Sequence, residues 1–409
     1  MVKQVGGRLR ALLGSRWIQL TLAVAVLLSA FTLAVGFDPP DADIKYDWLV
    51  TREAVRGDGD AYSDVLDLGR AEGVQVAVHV GAGVKEFTGH PRTPGAIVLQ
   101  LPLVVVPFEM LFAVSVFMTT LAAGFIALFA DRDRNSKAAL VAVAALLLAA
   151  PLWVNYRYAG QAAVIAALVL AGWLLVRDRD RVLGGVLIGV AAVLKLFPAF
   201  LIVPLLLARR WKASVSLVAT GVILNLAGLA LPGVSVESAL SQLTVAVDTW
   251  VTLPSNGSFV KQFVSAGFSP AVAQLAALGV VSVLFGVLVA QGKLSERRVG
   301  IVPFSWLAAG LLVIPLSWIS YDLVLAPVFT LAILSEDRRG RLLGMVGIAL
   351  WLTPTLIWPH RVLLMAPVSV LVRMLVLVVS FRLLDEHPAW SLSSVSERTE
   401  AGASLRPSQ

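Results

Sequence analysis

Twelve apolar stretches recur from one end of this chain to the other, and they leave room for few other plans. They lie near residues 17–36, 108–130, 138–153, 161–176, 183–196, 198–208, 213–232, 270–290, 301–316, 321–334, 342–358 and 363–383. Crossing about 30 Å of hydrocarbon takes about 20 apolar residues in a helix. Lipid accepts only helices or closed barrels, because each backbone polar group must find its partner within the protein. The pattern predicts an all-α polytopic membrane protein with about 12 transmembrane helices. Composition agrees: 14% of residues are charged, against about 25% in a soluble domain. Stretches 183–196 and 198–208 are too short to cross alone, so they read as half-helices meeting at Lys195-Leu196-Phe197-Pro198. Residues 94–107, with Pro94, Pro102 and Pro107, read as a re-entrant or interfacial helix.

Basic residues give the orientation. With the N-terminus inside, the connections Asp131–Lys137, Arg177–Arg181, Arg209–Lys212, Gly292–Arg298 and Glu336–Arg341 each carry three Lys or Arg. The opposite side has one per connection beyond the first loop: Arg157, Lys195, Lys261 and Arg361. Positive charge collects in cytoplasmic loops, so both termini are expected inside. The net charge of +7 is spread over these short clusters and signals no nucleic-acid partner. The basic Lys3, Arg8, Arg10 and Arg16 precede an apolar run, Trp17–Phe37. It is longer than the core of a cleaved signal and reads as a retained first helix. The chain has no cysteine, which excludes disulfides and thiol chemistry. Residues 385–409 are Ser-rich and read as a disordered cytoplasmic tail, leaving 1–384 as one membrane domain.

The large first extracytoplasmic loop, 38–92, has eleven Asp or Glu against six Lys or Arg. It opens Asp38-Pro39-Pro40-Asp41-Ala42-Asp43-Ile44-Lys45-Tyr46-Asp47-Trp48, with four carboxylates in ten residues. Loop carboxylates are commonly just solvated. Here they stand at the membrane surface, where Asp41, Asp43 and Asp47 could act as a base on a membrane-bound substrate or as cation ligands. Asp58, Asp60, Asp64 and Asp67 read as solvated. The loop ends with His90 and Arg92 before a proline-marked helix start, cations for a phosphate or an interfacial anchor. Asn155, Arg157 and Gln161 crowd a short connection with Tyr156 and Tyr158.

Lys195 lies in an apolar context whose insertion cost is at least about 2.5–3.5 kcal/mol, so it is a functional cation or snorkels outward. Asn256 and Lys261, then Trp318, Tyr321 and Asp322, then His360 and Arg361, complete the polar set on this side. Asp322 begins a span and needs a partner or a wet cavity; Arg373, mid-span, reads as a structural pair or a snorkelling cation. Asp131-Arg132-Asp133 and Asp178-Arg179-Asp180 resemble cation-binding pairs but fall in cytoplasmic, solvated turns. Carboxylates, amides and aromatics suit a sugar, and cations suit a departing phosphate. No nucleotide-binding motif appears, so an activated donor would be membrane-borne.

Several of these residues carry a resemblance. Gly160-Gln161, the Gly185 to Gly189 run, Lys195 to Pro198 and Arg209-Arg210-Trp211 follow one another as they do in the polyprenol-phosphate-dependent glycosyltransferases of family 87. His90-Pro91-Arg92-Thr93-Pro94, Leu101-Pro102-Leu103 and Asn256-Gly257-Ser258 are similar to further blocks of that family. The resemblance implies the GT-C membrane fold and an acidic base in the first extracytoplasmic loop. Asp47 matches that base best by its place before the Gly-rich turn and Ala61-Tyr62, with Asp43 in reserve. Ser320 stands where the family often has His, and His360 or His90 would be the substitutes.

Family membership would make the chain an inverting enzyme of the plasma membrane. It would move a single sugar, mannose ahead of arabinofuranose, from a polyprenyl-phosphate donor to a cell-envelope glycolipid or polysaccharide on the extracytoplasmic side. Arg92, His90, Asn155, Arg157, Gln161, Lys195, Asn256, Lys261, Trp318, Tyr321, Asp322, His360 and Arg361 would hold the donor. No metal or other cofactor is expected, and membrane lipids surround a monomer. A lipid-linked glycan flippase or transporter, or an oligosaccharide ligase or polymerase, are the other readings of the same polar set.

Overall fold

The computed structural model describes residues 16–39, 42–63, 65–75, 92–130, 150–178, 180–253, 256–290, 303–334, 338–357 and 365–386. Among these residues the regular structure is helical, apart from one isolated antiparallel bridge between Asn256 and Trp318. The helices are α1 (Arg16–Val35), α2 (Asp43–Arg56), α3 (Val65–Ala71), α4 (Pro94–Gln100), α5 (Leu111–Ala130), α6 (Ala150–Arg157), α7 (Ala162–Asp178), α8 (Val182–Leu194), α9 (Ile202–Leu207), α10 (Trp211–Leu229), α11 (Val236–Trp250), α12 (Phe259–Ser265), α13 (Pro270–Ala290), α14 (Pro303–Val313), α15 (Ala326–Leu334), α16 (Arg338–Ile357) and α17 (Met365–Glu386). Tighter 3-10 segments, Phe197–Leu201 and Ile319–Leu325, lead into α9 and α15.

A helix stands at each of the twelve apolar stretches, although only the end of 138–153, α6, lies within the described residues. Among the described residues three stretches are long and apolar enough to cross a membrane by themselves: Phe108–Ala127, Trp211–Leu229 and Pro270–Val287. The other apolar helices are shorter. Large apolar side chains point away from the protein on α1 (Leu27, Phe31), α10 (Val215, Ile223) and α13 (Leu275, Val283). Such a surface needs an apolar solvent. The tail residues 387–409 lie outside the described residues.

Two connections expected to be loops hold helices. Residues 38–92 contain α2 and α3, and 233–269 contain α11 and α12. α2 is polar by composition yet almost wholly buried from Ile44 to Thr51. A buried charge must be paired, and both charges on its inner face are. Lys45 meets Asp38 at 2.7 Å and lies 4.9 Å from the Phe108 ring centroid. Asp47 meets Arg92. The helix ends at Gly57, whose φ of 71° is the left-handed conformation that glycine supplies at a C-terminus.

α4 is wedged against α8 and α10. Thr93 caps it, accepting a hydrogen bond from the Ala96 N–H at 3.2 Å, and Pro94 follows in the first turn. The close approach needs glycine on α10, because a Cβ at Gly228 would collide with the Pro94 carbonyl. Gly185 serves α8 in the same way against Ala213 and Ser216 of α10. Overpacking of this kind costs about 1–3 kcal/mol, so Gly228→Leu is expected to lower the unfolding temperature of the detergent-solubilised protein. An unaltered melting curve would show that α4 has room to move.

The D-x-D-like turn before α8 is not simply solvated. Asp180 accepts the Lys212 and Ala213 N–H groups, both at 3.0 Å. It thereby satisfies two of the free amides at the start of α10.

Candidate active site

The α8 helix stops at Leu194, and Lys195 is extended (φ −153°, ψ 137°) before the next turn begins at Phe197. Pro198 has no N–H to offer the Leu194 carbonyl, and its ring would clash with that carbonyl in a continued helix, so the ladder ends there. The break sets Lys195 at the middle of the fold. Its ammonium lies 5.6 Å from the centroid of the Tyr321 ring, and Phe197 stacks on that same ring at 5.5 Å. Arg92, Asp43 and Asp47 all lie within electrostatic range of both Lys195 and Tyr321.

Arg92 and Asp47 form the centre. The guanidinium donates through Nε to Oδ1 at 2.8 Å and through Nη2 to Oδ2 at 3.2 Å. Both side chains are buried, with 2% and 0% of their surface exposed. Burial lowers the Arg92 pKa, but the adjoining Asp47 carboxylate more than reverses this and leaves it above its ordinary value. Gln161 Nε2 adds a third hydrogen bond, to Asp47 Oδ2 at 2.6 Å.

Asp43 sits one turn earlier on α2, on the same face as Asp47. It is only half-buried, and among the described residues its carboxylate makes no hydrogen bond or ion pair. The backbone N–H of Asp43 donates to the Tyr158 carbonyl at 2.7 Å, which ties the start of α2 to the α6–α7 turn.

Positioning comes from residues not singled out for it in the sequence. The Tyr62 hydroxyl donates to the Arg92 carbonyl at 3.0 Å. Burial first, and Asp60 second, push its pKa up, so it remains a donor at neutral pH. The Thr93 hydroxyl donates to the Val193 carbonyl at 2.9 Å, joining Arg92 to the end of α8. Asn225 Oδ1, mid-way along α10, accepts the Gly95 N–H at 3.2 Å. A lone Asn in an apolar span was the available signal for that last one.

Of the expected site residues, Asp43, Asp47, Arg92, Gln161, Lys195 and Tyr321 come together. Asn155 stands beside them in a shaping role: its Oδ1 accepts the Ala162 N–H and its Nδ2 donates to Thr119, both at 2.9 Å. Asn256, Trp318 and Asp322 belong to a second buried knot around Arg373. There Asn256 Nδ2 donates to the Val251 and Pro315 carbonyls, and Asp322 pairs with Arg373 at 2.7 Å. Lys261 lies in the first turn of α12, where burial lowers its pKa. His90, His360 and Arg361 lie outside the described residues, as does the side chain of Arg157. Ser320 is buried next to Tyr321. Among the described residues no three His, Asp or Glu gather as a cation site would need.

The sequence profile of glycosyltransferase family 87 matches residues 92–315, more than half of the chain. The chain belongs to glycosyltransferase family 87. It is therefore a membrane glycosyltransferase. No curated protein matches it significantly. The region matched to family 87 begins at Arg92 and includes Gln161 and Lys195, whereas Asp43, Asp47 and Tyr321 lie beyond it. The hydrogen bonds of Arg92 and Gln161 reach out of the family 87 region to one carboxylate in the loop before it.

Proposed function

We propose that this chain transfers a single sugar with inversion, mannose ahead of arabinofuranose, from a polyprenyl-phosphate donor to a hydroxyl of a cell-envelope glycolipid or polysaccharide. The site faces the extracytoplasmic side of the plasma membrane in this reading. What supports it is the meeting of two cations, two carboxylates and an amide at one break in the membrane helices. Arg92 and Lys195 suit the phosphate that leaves, and developing charge in a dry site is stabilised strongly by fixed cations. Asp47 suits the proton of the attacking hydroxyl on the opposite face of the anomeric carbon.

Arg92 donates to both oxygens of Asp47. The donor phosphate competes for this guanidinium. Moving Arg92 to the phosphate removes its two hydrogen bonds to Asp47, while Gln161 still holds Oδ2. Donor binding thus arms the base before the acceptor reacts. No metal or other cofactor enters this reading, and transfer is expected to persist in a chelator.

A second reading rests on the openness of Asp43: it would be the base, and Asp47 a fixed anchor for Arg92. Paired substitutions separate the two, as argued below. The reaction itself is tested by incubating membranes that contain the protein with labelled polyprenyl-phospho-mannose and polyprenyl-phospho-arabinofuranose. A product grown by one mannose is expected. Transfer of neither sugar overturns the proposal, and movement of whole glycans instead would identify a flippase, ligase or polymerase.

A further inference from the structure

We infer that Gln161 reads the substrate sugar: its side-chain carbonyl oxygen accepts a hydrogen bond from a sugar hydroxyl. The inference rests on the proposed reaction and adds to it a residue that distinguishes sugar from phosphate. The two ends of this amide have different fates. Nε2 donates to Asp47 Oδ2 at 2.6 Å. A carboxylate only accepts, so this contact fixes which end of the amide is nitrogen. The other end, Oε1, is buried and has no hydrogen-bond partner among the described residues. Buried acceptors are nearly always satisfied, and an exception calls for a cause. Covalent geometry keeps Oε1 beside the same carboxylate, within the cluster of Asp43, Asp47 and Arg92.

The backbone around Gln161 is also pinned. Gln161 directly precedes α7. The Gly160 N–H donates to the Asn155 carbonyl at 3.0 Å, and the Ala162 N–H donates to Asn155 Oδ1 at 2.9 Å. A Cβ on Gly160 would lie 3.8 Å from Asp43 Oδ2, which places the turn against the second carboxylate too. An amide oxygen beside the Asp47 carboxylate repels phosphate oxygens, which are acceptors like itself. It is completed by an O–H donor. Sugar hydroxyls are the donors that the proposed substrates bring, from either the donor or the acceptor sugar.

The test uses the full chain in detergent, and three probes: polyprenyl-phospho-mannose, bare polyprenyl phosphate, and methyl α-mannoside as an acceptor mimic. Gln161→Leu is expected to weaken the sugar-bearing lipid about 10-fold, the size of one neutral hydrogen bond, and to leave bare polyprenyl phosphate unchanged. If the hydroxyl comes from the acceptor, methyl α-mannoside weakens by that factor and both lipids hold. Equal weakening of both lipids, which a collapsed Asp47 would cause, overturns the inference, and so does unchanged binding of every sugar-bearing probe.

A measurement on the unmodified chain guards against misfolding of the variant. Among mannosyl lipids lacking one hydroxyl each, one analogue should bind about 10-fold worse than the others. The uniform tolerance of all such analogues, together with deoxy acceptor mimics, overturns the inference while leaving the reaction intact. Failure of the unmodified chain to bind either lipid overturns the reaction itself, and the inference with it.

Discussion

Asp47→Asn is expected to slow sugar transfer by about 10²–10⁴-fold, the contribution of a positioned base, while donor lipid binds as tightly as before or more tightly. The second half of this expectation separates a base from an ordinary site residue. Arg92 now gives two hydrogen bonds to Asp47. Asparagine keeps an acceptor but removes the negative charge that competes with phosphate for the guanidinium, so the donor gains the stronger claim on Arg92. The variant loses stability, because a buried cation is left without its counter-ion. Bound donor should restore part of that loss, since a ligand that binds only the folded form stabilises it.

Single-turnover rates, donor affinity and unfolding temperature, measured on Asp47→Asn and Asp43→Asn side by side, check this. Asp43→Asn should cost no more than about 10-fold in rate, the size of one hydrogen bond weakened by loss of the charge. The opposite ranking would give the base to Asp43. Full activity of Asp47→Asn would remove it from the chemistry.

The helical frame was legible because apolar residues recur along the chain in stretches where the structure has helices. The break at Lys195 was legible too, since a lone lysine three residues before Pro198 contradicts an uninterrupted apolar helix. α2 and α11 were not. Both are polar enough to read as loop, and α2 is buried only because its charges find partners far along the chain. Arg92 lies 45 residues from Asp47, and Gln161 lies 114. Periodicity reports on neighbours within a turn or two and is blind at such separations.

Composition likewise marked Asn155 and Asn256 as polar and unusual without saying what they bind. In the structure both hold backbone turns, the commonest use of a buried amide. Of the four carboxylates that open the first loop, Asp38 serves Lys45, and Asp41 lies outside the described residues. Asp43 and Asp47 reach the cluster.

The second large effect is expected far from the carboxylates, at Arg373→Met. Asp322 and Arg373 each stood out in the sequence as a charge in an apolar span, and they satisfy one another. Arg373 is fully buried. Its Nε donates to Asp322 Oδ1 at 2.7 Å, Nη1 to the Gly257 and Leu311 carbonyls at 2.6 and 3.0 Å, and Nη2 to the Trp318 carbonyl at 3.2 Å. Ser369 donates to the other Asp322 oxygen at 2.6 Å. Gly257 is glycine for a reason of space, since a Cβ there would lie 2.5 Å from Ser369 Oγ.

Removing Arg373 strands a buried carboxylate and three carbonyls, at a cost of about 3–5 kcal/mol. A domain is stable by only about 5–15 kcal/mol, so little folded Arg373→Met protein should accumulate. Asp322→Asn with Arg373→Met removes both charges and should melt higher than Arg373→Met alone, because the stranded charge causes much of the loss. The knot also bears on the site: Asp322 follows Tyr321 on the Ile319–Leu325 turn, so anchoring the one fixes the other beside Lys195. Solubilised yield and unfolding temperature of the single and double variants decide it. If Arg373→Met melts like the unmodified chain, the pair is dispensable, and Tyr321 must be held by its stacking on Phe197.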